Sequence, residues 1–187
     1  MCFSFEISLL TGLFSWSVGL YLLTKNLTLK QKNNVIFLLI LSSMQFADAI
    51  LWYIKMKKNN INYFITSFII PVILSLQVLF NVYYRNNNTN IFIHIATIIG
   101  ILYLFIKFNG YSISSCKNKL SSPIWGSDEI SFLEIMIFSL FIFYPNYSNL
   151  IGVALMILFI KIFFGVAYGS LWCALANIIA IKYLLTY

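Results

Sequence analysis

The chain reads as an all-α protein, a polytopic membrane helix bundle of about seven transmembrane helices forming a single domain over residues 1–187. Composition comes first: 61% of the 187 residues are hydrophobic and 9% are charged, against roughly 25% charged in an average soluble domain. The mean hydropathy is +0.90, more apolar surface than a globular core of this length can hide. Several apolar runs approach the roughly 17 to 25 residues that cross a bilayer as a helix. No long alternating polar pattern suggests an outer-membrane barrel.

Lys, Asn, Pro and Gly punctuate the apolar runs and define the expected helices: Ile7 to Thr24, Val35 to Ile54, Ile61 to Tyr84, Ile91 to Phe108, Ile130 to Tyr144, Leu150 to Phe164 and Val166 to Thr186. The first lacks a basic n-region and a small-residue cleavage site, so it is expected to be a retained helix rather than a signal peptide. Pro71 lies inside the third, where loss of a backbone donor and crowding of the preceding turn predict a kink. The fifth and sixth are short and must borrow flanking residues to span. A tight turn near Gly165 to Gly169 separates the last two.

An odd number of passes places the termini on opposite sides. Basic residues following the first helix, Lys25, Lys30 and Lys32, with none preceding it, favour an outside N-terminus and a cytoplasmic C-terminus. The overall split of basic residues, seven on the N-terminal side against five, points mildly the other way. Glycosylation acceptors at Asn26, Asn87 and Asn146 fall on the side opposite the N-terminus.

The net charge of +7 comes from lysines scattered at the ends of apolar runs. That distribution suits anionic headgroups and topology rather than nucleic acid. Cys2, Cys116 and Cys173 form neither a CxxC nor an even framework, so no zinc site or disulfide scaffold is written here. Myristoylation and prenylation signals are missing. His94 begins the fourth helix on the far side from the cysteines and Asp48, a poor position for a Cys–His dyad. A hydrogen-bonded His is the simpler account. No phosphate-binding glycine loop or nucleophile elbow occurs.

Asp48 stands out because it lies within the apolar run Val35 to Ile54, and intramembrane ionisable groups are functional candidates. A charged Asp at mid-depth costs about 2.5 to 3.5 kcal/mol on insertion scales, so it should face the bundle, be protonated or have a partner. Glu6, Asp48, Asp128, Glu129 and Glu134 all belong to the N-terminal half of the bilayer, with Cys2, Cys116, Trp125, Trp172 and Cys173. Interfacial decoration accounts for Asp128, Glu129 and Trp125, but poorly for Asp48. Gln45, Asp48 and Trp52 share one face of their helix, and Gly169, Cys173 and Asn177 form a stripe on the last one. Small residues at that spacing suit close helix packing, in which an embedded Asn gains from a partner.

The opening MCFSFEIS, the stretch MQFADAILWY and the stretch GSLWCALAN resemble an uncharacterised family of small multi-pass membrane proteins, a domain of unknown function associated with giant viruses and some cellular organisms. Members resembling it begin Met-Cys-Phe/Trp-Ser, carry Gln, an acid and Trp or Tyr in helix two, and carry Ser-x-Trp-Cys in the last helix. By position the matching residues are Cys2, Phe3, Ser4, Gln45, Asp48, Trp52, Ser170, Trp172 and Cys173, with Cys116 and Trp125 fitting a looser pattern. Asp48 stands where members often have Glu, and Pro123-Ile124 where His-Leu is expected. These departures argue against a His-dependent activity. The resemblance implies a membrane protein and supplies no activity.

The expected function is binding or transport of a small solute or ion at a polar site near one membrane face, with Gln45, Asp48, Trp52, Trp172, Cys173 and Cys2 as ligand-binding candidates. The alternative is a structural or interaction protein of a viral or host membrane. An enzyme would need two acids, or an acid and a thiol, within hydrogen-bond reach, and the pattern argues against one more than for it. No catalytic or metal set is assigned, and the sequence leaves any cofactor open. Expected partners are the lipid bilayer, the solute or ion, and further copies of the chain, but no nucleic acid.

Overall fold

A computed structural model describes residues 4–85, 90–117, 120–126, 129–145, 147, 151–152, 154–155, 158, 162 and 168–187. Among them run six helices, α1 Phe5–Leu23, α2 Leu29–Tyr53, α3 Asn60–Arg85, α4 Ile91–Lys107, α5 Phe132–Phe143 and α6 Tyr168–Thr186, with one hairpin, β1 Ile113–Lys117 and β2 Leu120–Ile124. The expected helical class is borne out, with one addition that the sequence did not show, a two-stranded antiparallel sheet in register Ile113 to Ile124 through Lys117 to Leu120.

The expected count of seven crossings is not supported among the described residues. Only α1, α2 and α3 are long and apolar enough to cross a membrane; α4, α5 and the Leu175–Thr186 part of α6 are apolar but shorter. The 12 residues of α5 extend about 18 Å, well under the roughly 30 Å of a hydrocarbon core. The sixth expected run, Leu150 to Phe164, and the turn near Gly165 lie largely outside the described residues.

Local sequence sets the helix ends. Ser4 caps α1 by accepting from the Ile7 N–H. A capping box of Thr28 and Gln31 starts α2 six residues before the expected Val35, because capped polar residues continue a helix out of the hydrocarbon. Asn59, Asn90 and Ser131 cap α3, α4 and α5 in the same manner. Pro71 does not break α3. Instead the ladder widens into a π-turn at Ile65–Ile69 just before it, and again at Phe80–Arg85, which makes room for the ring and the missing donor.

Central in the bundle, α2 buries Val35, Leu38, Leu41, Met44 and Leu51 against α1, α3 and α6. Its end meets the start of α1, with the Phe5 and Tyr53 rings 5.6 Å apart. At its start the Asn34 amide donates to the Tyr187 hydroxyl at 3.0 Å. Phe5 and Tyr187 thus sit at opposite ends of α2.

The α1–α2 seam is made of small residues, Ser8, Gly12, Ser15 and Gly19, all buried. Backbones approach closely there, and dispersion across such seams drives association in lipid. A Cβ on Gly12 would lie 3.1 Å from the Phe46 ring and 3.3 Å from Gln45 Cβ, whereas one on Gly152 would meet nothing within 4 Å. Both positions are helical, so Leu at either gains helix propensity and the difference isolates packing. We expect Gly12→Leu to lower stability by roughly 1–3 kcal/mol while Gly152→Leu does not, as measured by thermal unfolding in detergent. Equal melting of the two variants would refute the tight seam.

Candidate functional site

Asp48 is fully enclosed, and its Oδ1 accepts a 2.8 Å hydrogen bond from Trp125 Nε1. Trp125 is itself buried at 5% exposure. This corrects the expectation that Trp125 decorates an interface. It follows β2 and turns into the bundle, where its ring meets Phe108 edge-on at 6.2 Å. The next residue, Gly126, has φ +82°, and a Cβ there would be 3.0 Å from the Lys107 carbonyl. Both the positive φ and the close approach require glycine, so Gly126 seats the base of the hairpin against the end of α4.

A second polar cluster, which sequence reasoning missed, fastens the other root of the hairpin. Asn62 bonds both backbone groups of Ser112, accepting from its N–H at 2.8 Å and donating to its C=O at 2.9 Å. The Thr66 and Ser112 hydroxyls share a 2.7 Å bond, and Ser67 Oγ accepts from the Gly110 N–H at 2.9 Å. The signal was present as Asn62 and Thr66 at i, i+4 within an apolar run. These bonds fall at the first π-turn of α3, where the loosened ladder accommodates them.

Of the other predicted site residues, Gln45 is fully buried beside the α1 seam, and half-buried Trp52 packs on the main core. Neither they nor Asp48 line the large cavity between α3, α4 and α5. Trp172 and Cys173 belong to α6, but their side chains lie outside the described residues, as does all of Cys2. Asn177, one turn beyond Cys173, has the partner across the contact that was expected, accepting from Ser15 Oγ at 3.2 Å. His94 Nδ1 hydrogen-bonds the Tyr83 hydroxyl at 2.9 Å, and the two rings stack.

Open volume lies elsewhere. A cavity of about 600 Å³ opens between α3, α4 and α5, walled by Leu74, Val78, Leu104, Phe138 and Phe141, with Trp125 among its lining residues. Gly100 also borders it, and a Cβ there would meet only Phe141, at 3.9 Å. Charge appears at one end, where Lys107 Nζ lies 3.0 Å from Glu134 Oε1 and the Tyr103 hydroxyl donates to the same carboxylate. Deeper along α4, the buried Thr97 hydroxyl has no hydrogen-bond partner among the described residues. An apolar chamber with a charged mouth and one spare hydroxyl suits an amphipathic molecule better than an ion.

No protein-family model, curated protein or solved structure matches this chain.

Because Asp48 is buried, losing the indole donor should be felt as an incompletely satisfied carboxyl. Trp125→Phe is expected to cost about 1–3 kcal/mol, and Asp48→Asn less, since its amide oxygen still accepts. In a double-mutant cycle read by unfolding, the two changes should be strongly non-additive. Simple additivity would mean that the bond contributes nothing.

Proposed function

We propose that this chain is an integral, multi-pass membrane protein that binds a lipid-like, amphipathic small molecule. Its hydrocarbon body would occupy the cavity between α3, α4 and α5, with its polar end at Lys107, Glu134 and Tyr103. One observation carries the reading: a cavity of about 600 Å³, within the range of small-molecule pockets, whose lining is apolar except at the ion-paired mouth and at Thr97. The solute-binding reading is kept, but its site moves away from Asp48, since a ligand there would have to displace the Trp125 indole. Asp48 becomes a positioning group that holds one wall of the chamber.

The topology belongs to the same proposal. α5 ends where the Asn81 amide donates to the carbonyls of Phe141 and Tyr144, at the end of the bundle opposite the start of α6. A further crossing over Leu150 to Phe164 would join the two and restore seven passes, with α4 and α5 extended by flanking residues. An outside N-terminus puts Lys25, Lys30 and Lys32 in the cytoplasm, in keeping with the positive-inside rule.

The structural alternative, a packing or interaction protein of a viral or host membrane, draws on Asp48 itself, which is enclosed and hydrogen-bonded. The two readings separate on one variant. Gly100→Phe should fill the chamber, because its Cβ meets only Phe141. A dansyl fatty acid titrated into the purified protein should give saturable fluorescence, weakened at least about tenfold, or roughly 1.4 kcal/mol, by Gly100→Phe at unchanged helicity. Non-saturable fluorescence, or equal binding by the variant, would favour the structural reading.

A further inference from the structure

We propose that Arg85, at the end of the bundle opposite the acids, is the centre of a phosphate-recognition site for the headgroup of an anionic phospholipid. Arg85 closes α3, and its Nη1 and Nη2 donate to the side-chain carbonyls of Asn81 at 2.9 Å and Asn34 at 3.0 Å. Its guanidinium lies over the Phe37 ring, 4.8 Å from the centroid. Asn34 is fixed in turn by the Tyr187 hydroxyl, and Asn81 by the end of α5. Residues of α2, α3, α5 and α6 therefore hold one half-buried cation in a set orientation.

Every partner in that arrangement is neutral. The single ion pair among the described residues, Lys107 with Glu134, lies at the opposite end. Glu6, Asp48 and Glu129 lie there as well, and the sequence contains only one further acid, Asp128, next to Glu129. Two of the five guanidinium N–H groups are used by Asn34 and Asn81, which leaves three without an acceptor among the described residues. Amide carbonyls orient a guanidinium but bring it no side-chain carboxylate, and Arg85 has no ion-pair partner within 4.0 Å among the described residues. The dipole at the end of α3 favours a cation there without supplying a counter-ion.

A phosphate matches what is left. It presents several acceptor oxygens to the planar fork, and Arg engages such groups through two parallel bonds. Lys25, Lys30, Lys32 and Lys182 share this end of the bundle and add long-range attraction to an anionic leaflet. The lysines could act as a diffuse surface, whereas Arg85 is built in. That difference makes the proposal testable.

The full chain is reconstituted in nanodiscs of phosphatidylcholine alone and of phosphatidylcholine with phosphatidylglycerol, and its melting temperature is followed; a third arm adds inorganic phosphate to the first. The wild type should melt higher with phosphatidylglycerol. Arg85→Gln should weaken the apparent affinity roughly ten- to a hundredfold, the value of one charge-assisted hydrogen bond, whereas Lys30→Gln weakens it far less and Lys58→Gln, at the other end of the bundle, leaves it unchanged. An equal rise with inorganic phosphate supports the same site with a free anion as occupant. If Arg85→Gln does not fold, Arg85→Lys substitutes for it, keeping the charge but losing the fork, and should still bind more weakly than wild type. No rise for the wild type in any arm, or a rise as large in the Arg85 variant as in the wild type, overturns the proposal.

Discussion

The bond from the Trp125 indole to Asp48 joins the root of the hairpin, the one non-helical regular element among the described residues, to α2, the most buried of the three long helices. Neither group is comfortable in hydrocarbon alone, since an unmet indole N–H and an unmet carboxyl each carry a desolvation cost. Together they convert two liabilities into a fixed distance between α2 and the root of the hairpin. Much else follows from that distance. Gly126 is pressed against the end of α4, Phe108 stands edge-on to the indole, and the chamber between α3, α4 and α5 has an aromatic wall in place of a gap. Burial and partner together explain how a carboxyl persists in so apolar a chain.

The described part of the molecule divides its polar chemistry by location. At one end lie the acids, the hairpin and the ion-paired mouth of the chamber; at the other, Arg85 and a chain of amides and phenols. Between them the spans are joined by small-residue packing at the α1 seam and by side-chain hydrogen bonds such as Ser15 to Asn177. Close packing and polar pairs are what join helices wherever apolar surface alone gives them no reason to associate.

Helix positions were largely legible in the sequence because hydropathy reports burial in lipid directly. Five of the expected runs, those starting at Ile7, Val35, Ile61, Ile91 and Ile130, coincide with described helices, and the last expected run coincides with α6. The start of α2 is set by the capping box of Thr28 and Gln31, which lies outside the apolar run and so leaves no trace in hydropathy. The hairpin was illegible for a different reason. Residues 113–124 are short, polar and interrupted by Pro123, so nothing in their period distinguishes strands from a loop. Asp48 was rightly singled out as needing a partner, yet its partner is 77 positions away along the chain, a separation that no local pattern reports. The chamber was not foreseen at all. Its lining is ordinary Leu, Ile and Phe, indistinguishable in sequence from the residues that close a core.

The widened turns of α3 have a geometric consequence. A π-turn carries an extra residue, and each residue of a helix rotates the chain by about 100°, so the face presented before the turn is not the face presented after it. Ahead of Ile65, α3 offers Asn62 to the hairpin root; past Ile69 it offers Leu74 and Val78 to the chamber; at the end of the second turn Arg85 looks toward α2. A single rod thereby serves three neighbours in succession, like a key whose bits are cut at different angles. Moving one residue in or out of this helix would turn a different face to the chamber without altering a loop.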